Sequence, residues 1–121
     1  MLANSRVSAV LPVVDLGRAR KFYQEKLGLQ AVDVPGGVMF KCGQGSQLVL
    51  YQPNTPSKAE HTAAGWEVDN VEEMVKVLRE KGVVFEQYDM TDERGIATMA
   101  GVKGAWFKDS EGNILSIVQF E

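Results

Sequence analysis

Few side chains in this sequence could do acid–base or metal chemistry. The chain has one cysteine, Cys42, and one histidine, His61. His61 and Glu67 fall on one face of a predicted strand, but six residues at about 3.3 Å each separate them by roughly 20 Å, too far for one metal ion. Tyr51 and Glu67 remain as candidates for moving a proton, Glu67 as a general base on the condition that it is buried. A hydrogen-bonded, structural role for Glu67 is the alternative.

The composition limits the class of protein. The 121 residues have a net charge of −3 and a pI near 5.2, which disfavours nucleic acid as a partner. No apolar run approaches the roughly 20 residues that span a bilayer, and no signal peptide is predicted. A single cysteine forms no internal disulfide. These features predict a cytoplasmic protein with no membrane partner.

The first part of the chain alternates between strand and helix patterns. Apolar residues recur at helical spacing over 17–27, where Asp15 is the predicted N-cap and Gly28 ends the helix. Strands are predicted on either side of this helix. They cover residues 6–14, 29–34, 38–42 and 46–51.

The polar, proline-containing segment 52–60 is predicted as a linker, and the pattern then begins again. A helix is predicted over 70–81, ending at Gly82. The segment 91–100 has weak periodicity and predicts a loop that could close over a pocket, with Arg94 available for an anionic ligand or simply solvated. Strands are predicted over 61–68, 83–88, 101–108 and 113–120.

The two halves form an internal repeat. Val14-Asp15 precedes Gly28 at the same distance as Val68-Asp69 precedes Gly82, which gives an offset of 54 residues. Each copy is strand, helix and three strands, so the sequence predicts an α+β fold of two βαβββ modules, residues 1–51 and 61–121. We expect the modules to cover each other as a curved mixed sheet around a cleft.

Three motifs in this order resemble the vicinal oxygen chelate superfamily, which includes glyoxalase I, extradiol dioxygenases, fosfomycin-resistance enzymes and bleomycin-binding proteins. The first runs from Val13-Val14-Asp15-Leu16 to Phe22-Tyr23 and Leu27-Gly28. The second is Trp66-Glu67-Val68-Asp69-Asn70. The third, Asp109-Ser110-Glu111-Gly112-Asn113, is similar to the family's turn before the last strand, with Ser110 in place of proline.

The resemblance implies four metal-ligand positions, occupied in the family by His, Gln or Glu. Here they match Ser8, Val49, Ala63 and Ser116, and a shift of one residue would replace Ala63 by Thr62. None of these side chains suits a divalent transition metal. The sequence therefore predicts neither a metal nor another cofactor.

Strand alternation then predicts the ligand-binding surface. Either Met39 or Phe40, and either Trp106 or Phe107, faces the cavity, although packing is the more usual role of each. An alternative is that the polar groups of this surface satisfy one another. The predicted ligand-binding residues, which mix apolar walls with hydrogen-bonding groups, are Ser8, Gln47, Val49, Tyr51, Ala63, Glu67 and Ser116.

Three functions remain open. The first is a metal-free protein that binds a small organic molecule between the modules, as antibiotic-sequestering relatives do. The second is an enzyme of the lyase or dioxygenase type that uses Tyr51 or Glu67, or non-standard ligands. The third is a regulatory or interaction module. The resemblance also implies a homodimer, since relatives of this size commonly pair.

Overall fold

A computed structural model describes residues 2–4, 7–53 and 60–120. The chain divides into two compact units, Met1–Lys58 and Ala59–Glu121. Each unit is one βαβββ module with its own four-stranded mixed sheet, which confirms the predicted α+β class. Most of the predicted linker, residues 54–59, lies outside the described residues.

The first module has one helix, α1 (Leu16–Glu25), and four strands. The strands are β1 (Ser8–Pro12), β2 (Gln30–Val34), β3 (Gly37–Lys41) and β4 (Gln47–Tyr51). Their order in the sheet is β1-β4-β3-β2, with β1 parallel to β4 and the other neighbours antiparallel. β1 is an edge strand, which tolerates Pro12 because one side of it has no ladder to complete.

α1 begins where the sequence predicts. The Asp15 carboxylate accepts a hydrogen bond of 3.0 Å from the Arg18 amide and so caps the helix. Gly28, at φ 72°, supplies the left-handed residue that follows the helix. The helix buries Ala19 and Tyr23 against the sheet, where the Tyr23 ring stacks on Phe40 at 5.3 Å. This contact fixes which face of the first sheet the helix covers.

The second module repeats the arrangement with α2 (Val71–Glu80). Its strands are β5 (Thr62–Glu67), β6 (Ile96–Met99), β7 (Val102–Lys108) and β8 (Ile114–Gln119). Their order is β5-β8-β7-β6, with β5 parallel to β8. α2 packs on β7 and β8 and buries Val71, Val75 and Leu78. No helix in the described part of the chain is long and apolar enough to cross a membrane.

The strand predicted at 83–88 is wrong, and the loop predicted at 91–100 holds only for its first half, residues 91–95. Only Phe85 of the first segment pairs, in a single bridge to Phe107, and residues 96–99 form β6 instead. Both segments lie along the same edge of β7, because β6 pairs with its first half and Phe85 with its second. Two apolar segments therefore share the place that the sequence pattern assigns to the first alone.

The offset between the two modules is also one residue longer in the structure than in the sequence motif. Asn70, not Asp69, caps α2 by accepting a bond of 3.0 Å from the Glu73 amide, so Asn70 is the counterpart of Asp15. The helices are thus offset by 55 residues. A bulge in β5 absorbs the difference, since Thr62 pairs with Ile114 but Ala64 with Leu115.

Candidate functional site

Each sheet has one face beneath its helix and one opposite to it, which we call the helix-free face. Phe40 and Phe107, almost fully buried, lie on the helix side of their sheets. Neighbours in sequence point to opposite faces of a strand, so Met39 and Trp106 lie on the helix-free faces. This decides both of the alternatives that the sequence left open.

The helix-free face of the first sheet has an apolar row across all four strands. Val49, at its centre, is paired with Val10 on one side and Met39 on the other, and Met39 is paired with Val32. Val10 is 56% exposed and Val32 41%. We name Val10, Val49, Met39 and Val32 the aliphatic row. Tyr51, 41% exposed, lies on the same face beside it.

Ser8 and Gln47 form a polar pair at the other side of this row. The two are ladder partners, and the Gln47 side-chain amide donates a hydrogen bond of 2.8 Å to the Ser8 hydroxyl oxygen. The predicted residues Ser8, Gln47, Val49 and Tyr51 are therefore neighbours on one surface. The alternative that polar groups of this surface satisfy one another holds for Ser8 and Gln47.

The helix-free face of the second sheet differs at the corresponding positions. Its central row is Gly65, Ser116 and Trp106. A side chain at residue 65 would overlap the Ser116 hydroxyl, so Gly65 and Ser116 form a shallow floor between larger neighbours. The Trp106 indole lies beside Gly104, within 3.5 Å of where a Cβ there would stand.

The remaining predicted residues lie on β5. Glu67 is opposite Val118 at the end of the strand and is exposed. Ala63 occupies the bulge, while Thr62 is the ladder partner of Ile114 and the counterpart of Ser8. The weak catalytic candidates Tyr51 and Glu67 thus lie on different modules, at the ends of β4 and β5.

A network of charges holds the connection between α2 and β6. Asp92 accepts bonds from the Arg94 guanidinium at 2.8 Å and from the Ile96 amide at 3.0 Å, and these lower the pKa of its carboxyl. Glu72 on α2 accepts from Lys103 at 2.5 Å and from Arg94 at 3.1 Å, which lowers its pKa as well. Asp92 and Glu72 in turn raise the pKa of Arg94.

This network corrects the prediction for Arg94. Its guanidinium is held between Asp92 and Glu72 rather than available for an anionic ligand, and the segment after it is strand β6. The Arg79 guanidinium also donates a bond of 2.9 Å to the Arg94 carbonyl oxygen. The connection is therefore tied to α2 and does not match a lid.

The family model described as Glyoxalase/Bleomycin resistance protein/Dioxygenase superfamily matches residues 6–117. The chain belongs to this superfamily. The match spans both modules, in agreement with the motifs that carry the resemblance. Among curated proteins, none matches the chain.

Solved structures share this superfamily fold along almost the whole chain. Lactoylglutathione lyase from Agrobacterium tumefaciens is 22% identical with a TM-score of 0.72, and the match covers 96% of this chain and 93% of that one. The fosfomycin resistance protein FosX from Listeria monocytogenes is 11% identical with a TM-score of 0.74, covering 98% and 94%. A glyoxalase/bleomycin resistance protein/dioxygenase from Alicyclobacillus acidocaldarius is 19% identical with a TM-score of 0.69, covering 97% and 92%. At these identities the likeness shows the fold alone.

The residues at the superfamily's metal positions do not fit a metal ion. Val49 and Ala63 have no donor atom, and the Ser8 hydroxyl already accepts from Gln47. Ser116, and Thr62 as the counterpart of Ser8, offer only neutral hydroxyls. These are poor ligands beside the imidazoles and carboxylates that divalent transition metals prefer. Within residues 2–4, 7–53 and 60–120, no group of three His, Cys, Asp or Glu side chains could hold an ion.

Proposed function

We propose that this superfamily member binds a small organic molecule on its helix-free sheet faces without a metal ion, and that it acts by sequestering the molecule. The observation that carries the proposal is the aliphatic row, an apolar surface whose central residue, Val49, matches one of the superfamily's metal-ligand positions. At this position Val49 has a hydrocarbon side chain where other members of the superfamily have a side chain that coordinates the metal.

The exposure of this surface supports binding. Most large apolar side chains of a small protein are covered, whereas Val10, Val32 and Tyr51 are each more than 40% exposed on one face. Contiguous exposed apolar groups rimmed by polar ones are typical of ligand or partner surfaces. The rim here is the Ser8–Gln47 pair on one side and the Tyr51 hydroxyl on the other.

The polar rim supplies orientation rather than catalysis. Gln47 and Ser8 retain hydrogen-bonding capacity beyond the bond that joins them, because an amide and a hydroxyl each make more than one. A ligand that covers the aliphatic row needs such partners, since an unpaired buried polar atom costs about 1–3 kcal/mol. The surface therefore suits a mostly apolar molecule with a few polar groups.

The test is a ligand screen by thermal shift on the wild type and on variants of the row. Val49→Trp should abolish stabilisation by a hit, and Val10→Trp, at a more exposed position, should weaken it without risk to folding. Tyr51→Phe should reduce affinity by about 0.5–1.5 kcal/mol if the hydroxyl pairs with the ligand. Val77→Trp, on the exposed side of α2, is the control for added bulk. Equal stabilisation of all variants would place the ligand elsewhere.

A metal assay tests the other half of the proposal. Protein loaded with Zn²⁺, Ni²⁺, Mn²⁺ or Fe²⁺ and then desalted should retain none stoichiometrically. One ion per chain that survives gentle chelation would contradict the assignment of Ser8, Val49, Ala63 and Ser116 to the metal positions. It would favour the enzyme alternative.

We also propose that the protein is a cytoplasmic homodimer. In the described sheets, β1, β2, β5 and β6 are edge strands, and open edges favour pairing with a second copy. The single cysteine suits a reducing compartment. Sedimentation should give a dimer at tens of micromolar; a monomer there would overturn this part of the proposal.

A further inference from the structure

The second module has a cleft of about 410 Å³ that none of the predicted site residues lines. Lys108 and Ile114 in its lining are ladder partners on the helix-free face of the sheet, in the row next to Ser116 and Trp106. Its volume is that of a small-molecule pocket. The residues that line it are Glu60, Glu86, Tyr88, Lys108, Gly112 and Ile114.

Tyr88 forms an aromatic wall of this cleft. Its ring meets the Trp106 indole at 5.8 Å with 70° between the two planes, so Trp106 supports the wall in an edge-to-face contact. Tyr88 is still 39% exposed. The ring is therefore fixed in orientation and accessible, which is what stacking with a flat ligand requires.

The backbone that carries Tyr88 is held in place. The Thr91 hydroxyl accepts a bond of 2.9 Å from the Tyr88 amide and donates one of 2.8 Å to the Tyr88 carbonyl. Directly after Thr91, the charge network at Asp92 and Arg94 ties the same connection to α2. A preformed wall loses little conformational freedom when a ligand binds.

The charges of the cleft favour a cation. The lining contains two carboxylates, Glu60 and Glu86, and one ammonium group, Lys108, which lies 3.5 Å from the Glu86 carboxylate, so acidic groups outnumber basic ones. The face of an aromatic ring also attracts cations. A positively charged ring system gains from both, whereas an anionic one meets a lining with a net negative charge.

We propose that this cleft binds a planar aromatic molecule with a basic nitrogen, its ring against Tyr88 and its charge towards Glu86. The inference rests on the proposed function, because it names the class of ligand and places it on the helix-free face of the second sheet. Tyr88 and Glu86 contact the ligand; Trp106 is a positioning residue.

The test compares two probes with the same ring system, 9-aminoacridine as the cation and acridine-9-carboxylate as the anion. Titration is followed by probe fluorescence polarisation and by quenching of tryptophan emission. We expect 9-aminoacridine to bind at least about tenfold more tightly than the carboxylate. Equal affinities would overturn the charge assignment and with it the proposal.

Variants locate the probe. Tyr88→Ala should weaken 9-aminoacridine about tenfold or more, whereas Tyr88→Phe, which keeps the ring, should stay within about twofold of the wild type. Glu86→Gln should weaken the cation alone. Trp106→Phe should reduce the quenching and leave some binding. Because Thr91 holds the backbone of residue 88, circular dichroism should show Tyr88→Ala folded.

The outcomes separate this inference from the proposed function. Binding of 9-aminoacridine that survives Tyr88→Ala but is lost in Val49→Trp would overturn the cleft and support the aliphatic row. Failure of both acridines, with other screened compounds stabilising the wild type but not Val49→Trp, would do the same. Loss in Tyr88→Ala with full binding in Val49→Trp supports the cleft.

Discussion

The two sheets have the same strand order, but the side chains on their helix-free faces differ in size and polarity. In the first sheet the central positions are Val10, Val49 and Met39; in the second their counterparts are Gly65, Ser116 and Trp106. One is a continuous aliphatic surface and the other a floor of small residues beside an indole. A duplicated backbone therefore does not imply a duplicated site, because side chains on the face away from the helix are not constrained by the core.

The connections between helix and next strand differ as well. In the first module only residues 26–29 join α1 to β2, whereas residues 81–95 join α2 to β6. The longer connection contains Tyr88 and the Asp92–Arg94 pair, and it places an aromatic wall next to Trp106. The second module thus has an aromatic wall, which the four-residue connection of the first module is too short to supply.

The largest effect should come from a methyl group added at Gly37. A Cβ there would overlap the Leu50 carbonyl oxygen, which belongs to the backbone of β4 and cannot move without breaking the ladder. We expect Gly37→Ala to lower the free energy of unfolding by about 3 kcal/mol, measured by urea denaturation.

Gly65, in β5 of the second sheet, gives the contrast. The obstacle there is the Ser116 hydroxyl, which can rotate, so Gly65→Ala should cost only about 1 kcal/mol. The double variant Gly65→Ala with Ser116→Ala should recover most of that loss. Equal losses at Gly37 and Gly65 would contradict the distinction between backbone and side-chain obstacles.

The helix caps give the next contrast. Asp15→Ala should destabilise the protein by about 1–2 kcal/mol and Asn70→Ala by about 0.5–1 kcal/mol. The reason is that α2 has other means of satisfying its N-terminus, since the Gln119 side chain accepts from the Val71 amide at 2.9 Å and the first turn contains Glu72 and Glu73. α1 has no acidic residue in its first turn.

Thermal and urea unfolding of both cap variants measure this difference. Gln119→Ala combined with Asn70→Ala should bring the loss in the second module up to that of Asp15→Ala. If Asn70→Ala alone already costs more than Asp15→Ala, the support from Gln119 is not what distinguishes the two helices.

The hairpin turns predict a gain of stability. The β2–β3 turn uses Pro35-Gly36, but the β6–β7 turn places Ala100 at φ 49°, where an alanine is strained. Ala100→Gly or Ala100→Asn should stabilise the protein by about 0.5–1 kcal/mol, visible as a higher melting temperature. A lower melting temperature in both variants would mean that Ala100 makes a contact worth more than its strain.

The smallest effect should be a loss of stability at low pH that arises from charges in the second module. Arg94 lowers the pKa of Asp92 and, together with Lys103, that of Glu72, so both carboxylates stabilise the folded state above the unfolded pKa of about 4. That contribution is lost as the pH falls through the lowered folded values. Arg94→Gln should therefore reduce the melting temperature slightly at pH 6.5 and by less at pH 3.

Lys21→Gln, which removes an equal charge from the exposed side of α1, is the control. Its melting temperature should follow the wild type from pH 6.5 to pH 3. If Arg94→Gln shows the same loss at both pH values, the guanidinium acts through packing on α2 rather than through the two carboxylates.

The sequence by itself determined the features that depend on local order. Helical spacing with Asp15 and Gly28 located α1 within two residues, and strand alternation placed Ser8, Gln47, Val49 and Tyr51 on one face. These inferences succeed because capping, turns and the period of two act between residues close in the chain.

Only the tertiary structure decided which segment pairs with a strand edge when two segments compete for it. The segments 83–88 and 96–99 are both able to pair, and the edge of β7 accepts the second as a strand and the first as one bridge. The bulge at Ala63 likewise depends on register with β8, and it moves the cap from Asp69 to Asn70. The contact of Tyr88 with Trp106 joins residues that no local pattern connects, because a pairing across the sheet is chosen by the whole module rather than by either segment alone.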